Sequence, residues 1–350
     1  MKRKNIYLIF ITALLFFIGG INSVHAENNN TSIPFTINAI HPKNQINSKT
    51  SYIDALYNPG QKQNVQVNVR NSSNATQHFI VSANDATTSN GLAIDYTKSK
   101  QKLIGSPKLS ELIDGNLEQK IAMPAKSSKV ITFKLNMPKE KFKGIIMGGI
   151  SVYKDDSYYK QQSNNKNGVN ISNRFVYSIA VLLRNQKGNV LPDLKLIDAK
   201  QAPDNYAPAV TSTLKNDKRN FISGVKTESV VKDENGKTVA KNSTSLGQIA
   251  PISQFDLSIP LKETLSPGDY TLDGNASASD GQTWHWHKTF NVTKQNFNNT
   301  QNNIVTNKKP FPWTMIIIIS LIVIIIILLL ILLFIFLKRR KNDEEDNQNK

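Results

Sequence analysis

Apolar and polar residues alternate along most of the chain between residues 27 and 292. Valine occupies every second position from Val65 to Val69, and Ile131 and Phe133 alternate with polar residues in the same way. Successive side chains of a β-strand point to opposite faces, so this period of two predicts strands with one face in a core. Further alternating stretches lie at residues 175–183, 224–240, 254–260 and 269–279.

Turn-forming residues separate these stretches at intervals of about ten residues, as in β-sandwiches. The predicted fold class is therefore all-β, with two immunoglobulin-like β-sandwich domains and one C-terminal transmembrane helix. Only residues 106–115 have the pattern of a short helix. The turn signals are Asn58-Pro59-Gly60, Asn90-Gly91, Asn235-Gly236, Pro267-Gly268 and Asp280-Gly281.

The N-terminal segment, residues 1–26, has the three regions of a secretory signal peptide. Basic residues near the start precede an apolar run, and the segment ends at Val24-His25-Ala26. Small or aliphatic residues at these positions suit signal peptidase, so we predict cleavage after Ala26. An uncleaved membrane anchor is the alternative interpretation of the same pattern.

The C-terminal segment predicts a membrane anchor. Residues Trp313 to Leu337 carry no charge and exceed the roughly 20 residues that cross a bilayer core. Trp313 would lie at the outer interface, and the basic cluster that follows predicts a cytoplasmic tail at 338–350. The expected product is a single-pass protein with an extracellular body on a bacterial cell surface. The basic cluster is Lys338, Arg339, Arg340 and Lys341.

The external body is long enough for two domains. We predict a first β-sandwich at 27–155 and a second at 171–292, separated by the polar residues 156–170. These polar residues lack an apolar period and form either a linker or a long exposed hairpin. The Asn-rich residues 293–312 predict a flexible stalk before the membrane.

Composition adds two expectations about the setting. The net charge is +17, and most of the basic excess lies between residues 27 and 337, so the surface should attract polyanions. Anionic wall polymers and acidic proteins are the expected partners, and nucleic acid is not; alternatively, the lysines only keep the surface soluble. The chain has no cysteine, so each exported domain depends on its core for stability. The same composition suggests a Gram-positive bacterium.

Several segments together resemble the WxL-interacting proteins of Gram-positive bacteria. Each motif is a modest signal alone, but their order between a signal peptide and a transmembrane helix is similar to the whole architecture of that family. The segments are HPKNQ (41–45), Tyr52-Ile53-Asp54, NPGQKQNVQVNVRN (58–71), GIIMGGISV (144–152), NRFVYSIAVLLRN (173–185), LPDLKL (191–196) and WHWHKTFNV (284–292).

The resemblance implies a binding and assembly protein and not an enzyme. It implies that the chain tethers wall proteins bearing a WxL domain, with the first domain on peptidoglycan and the second on host surfaces. The chain itself contains no Trp-x-Leu tripeptide, so it would be the partner of a WxL protein. An adhesin that binds host extracellular matrix directly is the alternative function.

Catalytic motifs are absent from the sequence. It has no cysteine, no G-x-S-x-G elbow and no His-Glu-x-x-His, so we predict no catalytic residue, cofactor or metal. A carboxylate pair formed only in three dimensions stays possible, which leaves a wall-modifying enzyme or its regulator as a further alternative.

The stretch WHWHKTF (284–290) offers a candidate metal site. On a strand, Trp284 and Trp286 share one face and the two histidines share the other. A three-residue loop at 280–282 would pair residue 278 with 284 and 276 with 286, which sets small residues opposite the tryptophans. The histidines would then face solvent without a third ligand, so a structural strand is the favoured interpretation.

Other positions suggest structural or binding roles. Tyr270, after Pro267-Gly268, fits a tyrosine corner, whose hydroxyl ties the loop to the backbone. Gly148 and Gly149 mark either a close approach of another chain or glycan, or close packing between two sheets. Loop residues Asn44, Gln45 and Tyr52 are candidate contacts for a partner or glycan, although the first two could equally finish a turn.

Overall fold

The computed structural model describes residues 35–97, 102–157, 175–304 and 313–348. These residues form two β-sandwiches followed by a long apolar helix, so the predicted all-β class with one C-terminal helix is confirmed. The signal segment and its cleavage position lie outside the described residues.

The first domain consists of a four-stranded and a five-stranded sheet packed face to face. Their apolar faces enclose one core, in which Phe35, Phe79 and Phe133 are fully buried. The four-stranded sheet has the order β1 (Phe35–Ile40), β3 (Lys62–Asn71), β10 (Ser128–Asn136) and β8 (Ile113–Asp114). The five-stranded sheet has the order β2 (Ile53–Leu56), β12 (Val176–Arg184), β11 (Ile146–Lys154), β4 (Gln77–Asp85) and β9 (Glu118–Met123).

Strand β12 pairs with strands of the first domain. It lies antiparallel to β11 and parallel to β2, so the sheets change between Arg184 and Leu194, later than the boundary predicted at residue 171. Most of the polar segment predicted at 156–170 lies outside the described residues. The strands on either side of it, β11 and β12, are antiparallel neighbours in one sheet.

The second domain packs two four-stranded sheets around two neighbouring apolar clusters. One sheet has the order β13 (Leu194–Asp204), β14 (Ala207–Asn216), β17 (Ser253–Pro260) and β7 (Lys102–Leu103). The other has the order β16 (Thr238–Ile249), β15 (Ile222–Asp233), β18 (Gly268–Ser277) and β19 (Thr283–Val292).

An arm of the first domain completes the second. Residues 87–103, which include β5 (Thr87–Thr88) and β6 (Ile94–Asp95), leave β4 and contribute β7 to the sheet of β17. The Thr88 hydroxyl accepts the N–H of Ala250 at 2.9 Å, and Leu92 lies buried in the second domain's core. The second domain is therefore not a closed unit without this arm.

An arginine of the second domain also contacts the first domain. The Arg219 guanidinium donates to the carbonyl oxygens of Ser106 and Pro107 and lies 5.7 Å from the centre of the Phe142 ring. Its own carbonyl oxygen accepts the N–H of Ile145 at 2.7 Å. The two domains are thus joined by backbone and side-chain hydrogen bonds as well as by the chain itself.

A buried asparagine closes the same loop in both domains. Asn71, at the end of β3, donates from its amide nitrogen to the carbonyl oxygens of Ala75, Met123 and Pro124 at 2.8–3.1 Å. Its amide oxygen accepts the N–H of Ser73 at 3.0 Å. All polar atoms of this fully buried side chain therefore have partners.

Asn216, at the end of β14, repeats this arrangement. It donates to the carbonyl oxygens four positions later, at Asn220, and across the loop at Ala250, and it accepts the N–H of Lys218. The strand orders also correspond, with β1-β3-β10 matching β13-β14-β17 and β9-β4-β11-β12 matching β16-β15-β18-β19. The two domains are two copies of one sandwich design, and β2 of the first domain has no counterpart in the described sheets of the second.

In both sandwiches a side-chain amide bridges the two sheets along one side. Gln119 of β9 donates to the carbonyl oxygen of Thr132 at 3.0 Å, and Asn242 of β16 donates to that of Ser258 at 2.9 Å. Each bond joins the edge strand of one sheet, β9 or β16, to the strand next to the short edge strand of the other sheet, β10 or β17. An edge carbonyl that an added strand would otherwise use is therefore satisfied within the chain.

Three helices complete the described chain. The single turn α1 (Leu109–Leu112) lies within the helix predicted at 106–115. The helix α2 (Lys294–Asn303) occupies half of the predicted flexible stalk, because Phe297 packs against the second domain's core and Thr300 is buried. The helix α3 (Trp313–Gln348) contains the predicted anchor.

Replacing Asn71 by alanine should destabilise the body by about 3 kcal/mol, because three carbonyl oxygens lose their donor. Urea unfolding of residues 27–304 measures this change. Asn38→Ala is the matched control, since Asn38 is exposed on β1 and should cost well under 1 kcal/mol. Equal unfolding midpoints for the two variants would refute the role of Asn71.

Replacing Leu92 by alanine should cost the second domain about 3 kcal/mol through the cavity it leaves. Leu246→Ala is a matched control, because both leucines have a positive φ, 56° and 59°, but Leu92 is 2% exposed and Leu246 is 80% exposed. Hydrogen exchange of the amides of β17 should rise only in the Leu92 variant. Unchanged exchange would mean that the arm does not stabilise the second domain.

Candidate functional site

The loop before β2 uses two of the predicted contact residues internally. Asn44 donates from its amide to the carbonyl oxygen of Leu56 at 2.6 Å. Gln45 donates to the carbonyl oxygen of Tyr52 at 3.0 Å and accepts the N–H of Asp54 at 3.1 Å. These bonds shield the outer edge of β2, which corresponds to the turn-forming interpretation. Contact of these residues with a partner stays a prediction.

Tyr96, on the arm, connects two other predicted residues. A Cβ added to Gly149 would lie 2.6 Å from the Cβ of Tyr96, so the tyrosine packs directly on the glycine. Burial, followed by the effect of the Tyr52 phenol, raises the pKa of Tyr96 to about 12. Tyr96 thus packs on Gly149 and lies near Tyr52. Tyr96 lies outside the periodic stretches of the sequence, so the pattern gives no signal for it. Only the paired glycines, Gly148 and Gly149, indicate that a bulky side chain packs on β11.

Gly148 is covered in the same way by α1. A Cβ at this position would lie 2.3 Å from a methyl carbon of Leu109 and 2.5 Å from the carbonyl oxygen of Asn84. Both glycines of β11 therefore allow close packing of the chain's own segments. The covering side chains belong to α1 and the arm and not to the facing sheet, so packing between two sheets is not what these glycines allow. Contact of these glycines with another molecule stays a prediction.

A cleft of about 360 Å³ lies beside β4 and is named here the β4 cleft. It forms because β9 begins at Glu118, so the last backbone bond on this side runs from the Ala83 N–H to the Leu117 carbonyl oxygen at 2.8 Å. Backbone groups alternate sides along a strand, so those of Asp85 point to the same side. Among the described residues no strand pairs with them there.

Polar side chains line most of the β4 cleft. The Asp85 carboxylate accepts the N–H and the hydroxyl of Ser110 at 2.8 and 2.7 Å, which fixes α1 at one wall. Thr87 is 5% exposed, and its hydroxyl has no hydrogen-bond partner. Lys108 and Glu118 add charges of opposite sign. The arrangement suits a polar ligand that has both donors and acceptors.

The hairpin of β18 and β19 differs from prediction in its loop. The loop comprises residues 279–281, so Ala276 lies opposite Trp284 and Gly274 opposite Trp286. The predicted loop at 280–282 is wrong because Gly281, with φ 87°, takes the last loop position, where three-residue hairpins need a left-handed residue. The shift of two positions keeps the faces, so small residues still oppose the half-buried tryptophans.

The two histidines of β19 lie exposed on the outer face. The Nδ1–H of His285 donates to the side-chain oxygen of Asn275 at 2.6 Å, and that of His287 donates to Asp273 at 2.7 Å. Hydrogen bonds from His287 and Lys232 hold the pKa of Asp273 below its usual value. No cluster of three metal-ligating side chains occurs in the described part of the chain.

Tyr270 makes the contact of a tyrosine corner. Its hydroxyl donates to the carbonyl oxygen of Ser266 at 3.0 Å, and its ring stacks on Phe290 at 5.8 Å between centroids. Burial, followed by the charges of Asp233 and Glu234, raises its pKa. The residue therefore ties the start of β18 to the loop before it.

The C-terminal helix has the length and composition of a membrane span. Residues Ile316–Ile335 have a mean hydropathy of 4.0. The helix continues through the four basic positions 338–341 and ends at Gln348. One apolar helix of this kind is a candidate anchor for the body.

Two family models match the chain over most of its length. Residues 35–154 match the peptidoglycan binding domain of the WxL Interacting Protein, and residues 166–303 match its host binding domain. No curated protein matches. The β4 cleft thus lies in the segment matched as peptidoglycan-binding, and the histidine face lies in the one matched as host-binding.

Solved structures of similar fold include chaperones of bacterial fimbriae. The chaperone–tip adhesin complex of CFA/I fimbriae biogenesis is 14% identical, with 73% of this chain and 98% of that chain covered and a TM-score of 0.29. The E. coli chaperone DraB is 14% identical, with 74% and 95% covered and a TM-score of 0.26. At these scores they carry no argument about partners.

Replacing Gly149 by alanine should lower the thermal unfolding midpoint by several degrees, because the Tyr96 side chain must move out of its position. Gly91→Ala is the matched control, since the nearest atom to an added Cβ there is 4.0 Å away. Scanning calorimetry compares the two variants. An unchanged midpoint for Gly149→Ala together with weaker ligand binding would instead favour the partner-contact interpretation.

Proposed function

Because the chain belongs to the WxL Interacting Protein family, we propose that it is a membrane-anchored surface protein that tethers WxL-domain wall proteins. One observation carries the proposal: two matched binding domains precede an apolar helix on the same chain. Peptidoglycan is the proposed ligand of the first domain. Host extracellular matrix proteins are the proposed ligands of the second.

Tethering would raise the local concentration of the wall protein near the membrane. A wall protein held by the body stays within reach of the membrane, so a second weak contact with peptidoglycan adds to its retention. Between Ile304 and Trp313 only eight residues connect the body to α3, and such a connection spans at most about 30 Å. The short connection supports a body that works close to the membrane and not at the end of a long stalk.

The proposed orientation places the body outside the cell. Four basic residues follow the apolar part of α3, and such clusters stay in the cytoplasm. The basic excess of the body would then face the anionic polymers of the wall, where long-range attraction speeds encounter.

Two carboxylates of the strands have structural partners. Asp54 forms a half-buried ion pair with Arg184 at 2.8 Å, and Asp256 accepts the hydroxyl of Thr213 at 2.7 Å. These contacts support a binding role over a wall-modifying one. A direct adhesin is the second candidate, supported by the host-binding match of residues 166–303.

The purified body, residues 27–304, should bind a purified WxL domain and sediment with insoluble peptidoglycan. We expect binding of the WxL domain to persist between about 0.1 M and 1 M salt if apolar and backbone contacts carry it, because only exposed charges are screened. Pull-down at both salt concentrations measures this. An unrelated basic protein of similar net charge is the control for non-specific attraction to the wall.

Loss of WxL binding at every salt concentration would refute the tethering function. Binding to host matrix with no binding to the WxL domain would favour the adhesin alternative. Cell-surface protease digestion tests the orientation separately, since an external body is cleaved on intact cells while the tail at 338–350 is protected.

A further inference from the structure

The β4 cleft is a difference between two otherwise matching domains. In the second domain β16 is 12 residues long and pairs with β15 along its length, whereas β9 has six residues and pairs with β4 only as far as Ser82. Its short length leaves the end of β4 without a strand neighbour on that side in the described part of the chain. The opening therefore occurs in the domain matched as peptidoglycan-binding.

We propose that the β4 cleft binds the stem peptide of peptidoglycan in an extended conformation along the edge of β4. This inference rests on the proposed function, because it identifies the part of the wall polymer that the first domain contacts. The backbone N–H and carbonyl of Asp85 point to the cleft side, and they match the spacing of amide groups in an extended peptide.

Three side chains of the cleft add polar groups that a peptide would bind. The Thr87 hydroxyl is buried without a partner, and such a group normally has one, so a peptide amide at the cleft floor would satisfy it. Lys108, whose side chain is 30% exposed and whose ammonium lies 4.0 Å from the Glu111 carboxylate, lines the cleft and would pair with a peptide carboxylate. Glu118 provides the opposite charge for the amino group of a diamino acid.

The cleft fits a peptide better than a sugar chain. The described lining residues include no aromatic side chain on which a sugar ring would stack. Charged groups of both signs are present instead, and the repeating amino sugars have no charge to pair with Glu118. A peptide supplies amides, a carboxylate and an amine, which correspond to the groups of the cleft.

The test compares two soluble probes on the full-length protein in detergent micelles. One probe is a synthetic stem peptide without sugar, and the other is a chito-oligosaccharide without peptide. Calorimetric titration should show binding of the peptide and none of the sugar. Thr87→Val should weaken peptide binding about three- to tenfold, the loss of one hydrogen bond. Lys108→Met should weaken it by a similar factor.

The unfolding midpoint separates a binding role from a structural one. Thr87→Val removes an unpaired buried hydroxyl at nearly constant shape, so the midpoint should stay equal or rise while binding weakens. Thr264→Val is the matched control, because the Thr264 hydroxyl oxygen is also buried without a partner but lies in the second domain. It should leave peptide binding unchanged.

Equal peptide affinity of the Thr87 and Thr264 variants would overturn the inference, as would binding of the oligosaccharide alone. A full-length protein that sediments with insoluble peptidoglycan but does not bind the stem peptide would refute the cleft assignment and leave the proposed function standing. A protein that does not sediment with peptidoglycan at all would refute the proposed role of the first domain itself.

Discussion

Carbonyl oxygens at the ends of β9 and β16 accept hydrogen bonds from a buried asparagine that ends β3 in the first domain and β14 in the second. An unpaired buried carbonyl costs about 1–3 kcal/mol, so one amide that reaches several of them decides whether the loop can close. Asn71 and Asn216 end the strands on which each four-stranded sheet is built. The position where the chain turns from one sheet to the other therefore depends on these two side chains.

The same sandwich design is used once as a complete unit and once as an incomplete one. The first domain supplies its own edge strands, whereas the second receives β7 and Leu92 from the arm. The arm passes Tyr96, which packs on Gly149, before it reaches β17. Displacement of the arm from the first domain would therefore also remove packing from the second, so the arm links the stability of the two domains.

The sequence predicts the strands well because apolar and polar residues alternate wherever one face of a strand is buried. It predicts the tyrosine corner because Pro-Gly before Tyr270 restricts the loop. It does not predict which sheet a strand joins. The pattern of β12 is the same whether its neighbour is β11 or β13, so the boundary was placed too early. The helix α2 was missed because its Asn-rich sequence favours helix weakly, and the contact of Phe297 with the core is tertiary. The β4 cleft was missed for the same reason, since it results from the lengths of two strands and not from a motif.

The divergence between the two copies indicates how one design can take two kinds of ligand. Where β16 pairs with β15 along its length, the sheet is covered at that edge, and its outer face carries His285, His287 and Asp273. Where β9 stops short, the sheet opens into a narrow cleft with free backbone groups, which suits an extended chain. The edge strand β9 is thus six residues shorter than its counterpart β16, and this difference in length distinguishes the two surfaces. The buried asparagine and the side-chain amide that bridges the two sheets are present in both domains.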